Sequence, residues 1–277
     1  MGDQQRRRVL LAVLAAVFAV SAGMAVRRHI QYQASRVAAL EARELVKPPP
    51  PAVTAAPPPS AGPAPEDTHP PAEPAPEEDL PPDPGAEALS GLDLGALQAV
   101  NPDVAGWIEI PGTELSYPLL QGEDNQYYLT HTWNREPNSG GSVFLECTSR
   151  RDLSGFHTIA YGHRMQDGTM FGPLKHYDDP EFWARHPSVY IATEDGVYRY
   201  DIFAAFQAHV KGMVYRLDLE GREGEFIDFC LGNSVIDTGI VPLPGDRLLT
   251  LSTCVSMGWS EYRWVVQGRL AQVYPAQ

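Results

Sequence analysis

Cysteine is scarce in this sequence, and its few occurrences form no recognisable pattern. The 277 residues include three cysteines, Cys147, Cys230 and Cys254, an odd number with no CxxC pair and no regular spacing. This argues against a disulfide framework and against a zinc ribbon. The histidines also lack metal-ligand spacing such as HExxH. The sequence therefore predicts no metal and no other cofactor.

Basic residues are also scarce after the first fifty positions. The formal net charge is -14 at pH 7, and no Lys-rich or Arg-rich patch occurs in the remainder of the chain. A general nucleic-acid binder needs a basic face for the phosphates. We therefore expect no nucleic-acid partner.

The N-terminus contains the one long apolar run. Arg6–Arg8 precede residues 9–26, which are all apolar or small, and Arg27 and Arg28 follow them. About eighteen residues are near the lower limit for a membrane-spanning helix. The alternative is a cleaved signal peptide, although no compact A-x-A cleavage site follows. We predict a retained anchor over 1–28, with the basic N-terminus inside and the bulk of the chain exported.

Two further segments separate this run from the globular part. Residues 29–47 have apolar positions at roughly helical spacing and predict a juxtamembrane helix, which is a spacer or a surface that pairs with another copy. Residues 48–88 are rich in Pro, Ala and acidic residues and predict an extended, partly polyproline II linker. At about 3.1 Å per residue such a linker could reach on the order of 100 Å. It is either a stalk that holds a domain away from the membrane or a disordered linker without a special role.

Residues 89–277 form the globular part. Short apolar runs alternate there with turn signals, which is typical of a mainly β barrel or sandwich. Helices are predicted at Leu92–Val100, Glu181–Arg185 and Glu223–Leu231. The predicted strands are Trp107–Ile110, Tyr117–Leu120, Ser142–Leu145, Thr158–Tyr161, Val189–Thr193, Tyr198–Phe206, Arg247–Thr253 and Tyr262–Leu270.

The last two strands bring together residues that can carry chemistry. Apolar and polar side chains alternate over Leu248–Cys254, and the short connection to Tyr262–Val266 predicts an antiparallel hairpin. Cys254 and Arg263 then lie at the same open end. A thiol beside a fixed cation favours the thiolate, and the cation can hold a developing oxyanion. His163, at the end of another strand, is the candidate acid or base.

The other two cysteines have structural interpretations. Cys230 lies among Phe226, Ile227 and Phe229 and is predicted to be a core residue. Cys147 follows an apolar strand and is predicted to be structural or idle. Cys254 is therefore the candidate nucleophile.

Several short blocks together resemble a sortase of class B. The resemblance runs from about Leu89 to Val273, in the order of the family. One departure is Glu146-Cys147-Thr148-Ser149, where many relatives resemble Asp-Tyr-Arg-Asn, and it leaves the local contacts open. The blocks are Asn101-Pro102-Asp103-Val104-Ala105-Gly106-Trp107-Ile108, Asp124-Asn125-x-x-Tyr128-Leu129, Gly141-Ser142-Val143-Phe144-Leu145, Tyr161-Gly162-His163, Gly168-Thr169-Met170-Phe171, Thr250-Leu251-Ser252-Thr253-Cys254 and Arg263-x-Val265-Val266.

The resemblance implies a fold and a set of site residues. The fold is a closed eight-stranded barrel with an N-terminal helix and an extra helix before the cysteine strand, which matches Glu223–Leu231. The activity is that of a cysteine transpeptidase with Cys254 as the nucleophile, His163 as acid and then base, and Arg263 at the oxyanion. The implied substrate-binding positions are Asn125, Tyr161, Ser252 and Thr253, although ordinary turn and strand roles also fit them.

The resemblance also implies partners and a location. The donor would be an exported protein with a C-terminal sorting signal, and the acceptor would be an amine of a lipid-linked peptidoglycan precursor. The enzyme would be anchored in the cell membrane of a Gram-positive type of cell, with its catalytic domain facing the wall. Two alternatives are a pilin polymerase that uses a lysine acceptor and a non-catalytic barrel that binds wall peptides. The sorting motif is not legible in the sequence.

Overall fold

Eight strands form a closed barrel. The structure, a computed structural model, describes residues 3–47, 82–165, 167–254 and 261–276, and of Cys254 it describes only the backbone. The strands alternate with short loops and helices, as the turn signals in the sequence predict. They are β1 (Val104–Glu109), β2 (Ser116–Leu120), β3 (Val143–Leu145), β4 (His157–Tyr161), β5 (Ser188–Thr193), β6 (Gly196–His209), β7 (Leu248–Cys254) and β8 (Tyr262–Pro275).

The order of strands around the barrel determines which ends meet. The order is β1-β2-β3-β4-β7-β8-β6-β5, and β5 pairs with β1 to close the barrel. The pairs β2–β3 and β4–β7 are parallel, whereas the other pairs are antiparallel. Parallel pairing places the carboxyl ends of β4 and β7 at one rim. The prediction of a closed eight-stranded, mainly β fold is confirmed.

The barrel interior is filled by apolar side chains from alternate strand positions. Ile108, Leu119, Val143, Ile191 and Leu251 are all buried in one cluster. Each such aliphatic side chain contributes about 1.5–3 kcal/mol when it is fully buried. This core holds the strand ends, and therefore the rim, in a fixed arrangement.

Five α-helices accompany the barrel in the described part of the chain. The predicted extra helix before the cysteine strand is observed as α5. The helix predicted over Leu92–Val100 is observed in a shorter form as α3, because Asp93 accepts a hydrogen bond from the Ala96 amide at 3.1 Å and caps its start. Helix α2 precedes it and was not predicted. The helices are α1 (Asp3–Leu45), α2 (Pro84–Ser90), α3 (Leu94–Gln98), α4 (Pro180–Arg185) and α5 (Glu223–Asn233).

Helix α1 is one uninterrupted element. The boundary predicted between an anchor over 1–28 and a juxtamembrane helix over 29–47 coincides with no break in the helix. Its N-terminal part exposes apolar side chains, such as Phe18. Its C-terminal part packs against the barrel, because Ala38, Ala42 and Val46 are buried.

The folded part of the chain begins earlier than the boundary predicted at Leu89. Residues 48–81 of the predicted linker lie outside the described residues. Asp83 is only 8% exposed and accepts hydrogen bonds from the Gly85 and Ala86 amides at the start of α2. Arg199 also donates to Asp83, at 3.2 Å. The high proline content of this stretch hides the helix cap from a reading of composition alone.

Candidate active site

Cys254 and Arg263 are directly paired across an antiparallel hairpin. The pairing of β7 with β8 runs from Leu248 and Arg269 to Cys254 and Arg263, which is the last pair before the connection. Directly paired residues of an antiparallel ladder have adjacent Cα atoms on the same face of the sheet. The predicted hairpin is therefore observed, and it ends at these two residues.

His163 lies at the same rim as Cys254. In the parallel pair β4–β7, Tyr161 is in register with Ser252, and the Gly162 amide donates to the Ser252 carbonyl at 3.2 Å. His163 follows Tyr161 by two residues, as Cys254 follows Ser252. Because the two strands run in the same direction, both chains leave the barrel at one level.

A hydrogen bond locates one proton of the His163 ring. Its Nε2 lies 2.8 Å from the Leu129 carbonyl oxygen, which can only accept, so Nε2 carries a proton. The neutral ring therefore has its basic nitrogen at Nδ1. The Phe171 amide also donates to the His163 carbonyl at 2.9 Å, which fixes the backbone behind the ring.

One cleft contains six of the seven residues predicted for the site. Its volume is about 350 Å³. The seventh residue, Cys254, follows two of the lining residues along β7. The predicted residues that line the cleft are Asn125, Tyr161, His163, Ser252, Thr253 and Arg263, and the others are Leu129, Phe144, Gly162, Val210 and Tyr215.

The polar side of β7 is covered by a neighbouring segment. Ser252 is buried, and its hydroxyl lies 2.9 Å from the Tyr215 hydroxyl. The Tyr215 ring stacks near the Tyr161 ring, with centroids 6.5 Å apart and planes 11° apart. Thr253, on the opposite face of β7, is also buried, and its hydroxyl has no hydrogen-bond partner among the described residues. The segment around Tyr215 thus forms one wall of the cleft.

Glu146 organises the opposite wall, although it was not predicted as a site residue. One carboxylate oxygen accepts from Asn125 Nδ2 at 2.6 Å and from the Tyr161 hydroxyl at 2.9 Å. Asn125 Oδ1 in turn accepts from the Cys147 amide at 2.8 Å. Because a carboxylate only accepts and an amide N–H only donates, this pair of contacts fixes the orientation of the Asn125 amide.

The electrostatics of Glu146 follow from these contacts. Burial raises the pKa of its carboxyl, but hydrogen bonds from Asn125, Tyr161 and Cys147 outweigh burial and leave the pKa below its usual value. Burial and the Glu146 charge together raise the pKa of Tyr161. The signal available in the sequence was a carboxylate directly after the apolar strand Val143–Leu145.

The other two cysteines have environments that disfavour a thiolate. Cys230 is fully buried on α5, and burial raises the pKa of its thiol. Cys147 is half-buried, and burial followed by the neighbouring Glu146 carboxylate raises the pKa of its thiol. Neither environment is that of a reactive cysteine.

Comparison with known proteins identifies the family. Residues 108–271, more than half of the chain, match the model of the Sortase domain. Sortase B of Listeria monocytogenes is 36% identical over 185 residues, which cover 64% of this chain and 74% of that protein. Sortase B of Staphylococcus aureus is 34% identical over 161 residues, which cover 57% of this chain and 66% of that protein.

The fold agrees with these matches. A solved complex of Staphylococcus aureus sortase B with a substrate superimposes with a TM-score of 0.62 at 32% identity, covering 65% of this chain and 85% of that one. The barrel order and the helix before β7 agree with the family match. The chain therefore belongs to the sortase family of cysteine transpeptidases, and within it to class B.

Proposed function

We propose that this chain is a membrane-anchored sortase that cleaves a C-terminal sorting signal after Thr and joins the exported protein to a peptidoglycan precursor. The observation that carries the proposal is the register of three strands. It has His163 and Cys254 leaving β4 and β7 at one rim, with Arg263 opposite Cys254 on β8. The donor class is supported by the sortase B relative that was solved with a substrate.

The first step forms a thioacyl-enzyme. The Cys254 thiolate attacks the Thr carbonyl carbon, and the C–S bond forms while the peptide C–N bond breaks. The Arg263 guanidinium donates to the carbonyl oxygen as it becomes negative. Protonated His163 gives a proton to the departing amine. Because Nε2 donates to Leu129, Nδ1 is the nitrogen that transfers this proton.

The second step transfers the acyl group to an amine. The incoming amine of the precursor attacks the thioester carbon while His163 takes its proton, and Cys254 leaves again as thiolate. A new peptide bond forms, and the ion pair of thiolate and imidazolium is restored. The same three groups therefore serve both steps.

The remaining predicted residues would bind the sorting signal. Tyr161 and Ser252 line the cleft beside His163, and Asn125 is fixed by Glu146 at the other wall. Thr253 follows Ser252 on β7 and lines the same cleft. We propose that these four side chains hold the peptide in the orientation needed for attack.

The membrane part of the proposal rests on α1. The helix from Leu10 to Leu45 is long and apolar enough to cross a membrane. The side chains of Leu10, Leu14 and Phe18 are exposed. We propose residues 1–28 as a retained single-pass anchor with Arg6–Arg8 inside the cell and residues 82–277 outside, facing the wall.

A single substitution tests the chemistry. The full chain in detergent is mixed with a sorting-signal peptide, and its intact mass is measured. Wild type should gain the mass of the acyl fragment, Cys254→Ala should not, and the control Cys147→Ala should behave like wild type. A thioester adduct that persists in Cys254→Ala would contradict the assignment of the nucleophile.

A further inference from the structure

Side chains of the barrel domain hold the C-terminal part of α1 by hydrogen bonds to the backbone carbonyls of the helix. The Trp133 indole N–H donates to the Ala38 carbonyl at 2.7 Å in a buried contact. Asn138 Nδ2 donates to the Gln31 carbonyl at 3.1 Å, and the Ser35 hydroxyl donates to Asn138 Oδ1 at 2.8 Å. Contacts to main-chain carbonyls fix both the rotation and the axial position of a helix. This part of α1 is therefore a fixed component of the folded domain.

Small residues allow the helix to approach closely. Ala38, Ala42 and Val46 are buried at the contact. A Cβ atom built at Gly140 would lie 3.3 Å from the Ser35 Cβ, so a side chain at Gly140 would press against the helix. The close fit extends from Ser35 along α1 to Val46, the residue that follows the helix.

The proline-rich segment leaves and re-enters the domain at the same place. Before it, the Val46 carbonyl accepts from the Asp93 amide at 3.0 Å. After it, Ala86 and Leu89 of α2 are buried in the same cluster as Val46. A segment whose two ends are held in one cluster cannot set the distance between a membrane and the domain. Residues 48–81 therefore do not act as the stalk that composition suggested.

The distance from the apolar run to the barrel is instead set by α1 itself. The run ends at Val26, and the first contact with the barrel is at Gln31. Five residues of α-helix span about 8 Å. The loop that carries Trp133 and Asn138 would thus lie near the lipid headgroups.

We infer that α1 clamps the barrel directly onto the lipid surface through residues 131–140, so that α1 and not residues 48–81 sets the height of the domain above the membrane. This inference rests on the proposed membrane anchor. Residues 131–140 are joined at both ends to the wall of the cleft. Before them, the Leu129 carbonyl accepts from the His163 ring. After them, the Ser142 amide donates to the Tyr128 carbonyl at 2.9 Å. The clamp would therefore also fix the position of the cleft relative to the lipid surface that holds the proposed lipid-linked acceptor.

A disulfide trap tests the clamp in the full chain. A protease site is placed within residues 60–66, and Ser35→Cys is combined with Gly140→Cys. Their Cβ separation is close to the range of about 3.5–4.5 Å found in disulfides. After cleavage, the two halves should stay joined on a non-reducing gel. All native cysteines lie in the C-terminal half, so any covalent link must pass through position 35.

Two controls accompany the trap. Val37 is 63% exposed, so Val37→Cys with Gly140→Cys should leave the halves separate. Ser35→Cys alone reveals any capture by a native cysteine. Halves that separate in the Ser35 and Gly140 pair as readily as in the Val37 pair would overturn the clamp.

A second measurement needs no new cysteines. Membranes that contain the full chain are cut within residues 60–66 and sedimented. A clamped domain stays with the membranes, whereas a stalked domain appears in the supernatant, and its appearance there would overturn the inference. Trp133→Phe with Asn138→Ala should release the domain, whereas Trp107→Phe should not, because the Trp107 indole N–H donates to Ser116 and not to α1.

The two proposals fail in different ways. An uncut chain that is found in the supernatant contradicts the membrane anchor, and the disulfide trap then still reports on the clamp. A chain that sediments but forms no thioacyl-enzyme contradicts the proposed chemistry alone.

Discussion

The side-chain nitrogen of Asn125 lies 2.6 Å from a carboxylate oxygen of Glu146, and the same oxygen accepts the Tyr161 hydroxyl. We expect Glu146→Ala to lower kcat/KM for a sorting peptide about tenfold, because a hydrogen bond to a charged group contributes about 1.5–3 kcal/mol. Glu146→Gln keeps a neutral acceptor, and we expect a loss of only about threefold. Steady-state cleavage of a fluorogenic peptide measures both.

The control for this prediction is Glu123→Ala, which removes an exposed carboxylate from the same surface. If Glu146→Ala and Glu123→Ala have equal kinetics, Glu146 has no part in positioning the cleft residues.

Arg263→Lys tests the oxyanion role. Lysine keeps the charge but loses the planar fork that donates at two points. We expect kcat to fall about a hundredfold with KM little changed, since the loss of one oxyanion donor has an effect of this order. Arg269→Lys, on the same strand but at the far end of the β7 pairing, is the matched control. Unchanged kcat in Arg263→Lys would remove the proposed role.

His157 predicts how stability depends on pH. It is buried, with Nδ1 2.9 Å from the Arg216 carbonyl and Nε2 2.7 Å from the Thr250 hydroxyl. Burial lowers its pKa from 6.5 to about 4. In the unfolded chain His157 is therefore protonated below about pH 6.5, whereas in the folded chain it is protonated only below about pH 4. The free energy of unfolding should fall over this window by about 3 kcal/mol as the pH decreases.

Urea unfolding of the detergent-solubilised chain at several pH values measures this slope. His157→Asn should be less stable at pH 7, but its slope between pH 6.5 and 4 should be smaller by about one proton. His176→Asn, at an exposed position, should keep the wild-type slope. An undiminished slope in His157→Asn would contradict the prediction.

Thiol labelling separates the three cysteines. The raised pKa values of Cys147 and Cys230 keep both as thiols at pH 7, and thiols alkylate slowly. We expect iodoacetamide to modify Cys254 first, as read by peptide mass spectrometry of the native chain. In denaturant all three should react at similar rates. Faster native labelling of Cys147 than of Cys254 would contradict this order.

Local patterns were sufficient to predict the strands and the hairpin. The alternation over Leu248–Cys254 and the short connection to Arg263 depend on neighbours in the sequence, and the structure has both. The parallel pairing of β4 with β7 joins segments that are far apart in sequence. It was not predicted, because periodicity within a segment carries no information about which distant segment pairs with it.

Buried polar groups were the features that the sequence could not predict. The alternation assigned a polar face to β7, but Thr250 and Ser252 are both buried on that face. Their partners, His157 and Tyr215, come from distant segments and supply the hydrogen bonds that make this burial possible. Glu146 was likewise visible only as a departure from related sequences, because its role depends on contacts with Asn125 and Tyr161.

Composition also could not predict that the residues on the two sides of the proline-rich segment lie close together. The composition of a polar, proline-rich stretch is the same whether the stretch separates a membrane from a domain or has both of its ends in one domain. The contact between the Val46 carbonyl and the Asp93 amide and the shared cluster of Val46, Ala86 and Leu89 distinguish the two arrangements.

The position of β7 between β4 and β8 has a consequence for biosynthesis. Strand β7, which ends at Cys254, pairs on one side with β4, which His163 follows. On the other side it pairs with β8, which carries Arg263. A nascent polypeptide that has not yet been completed therefore has no assembled centre. Under the proposed chemistry, the protein becomes competent only after β8 has been synthesised and has paired with β7.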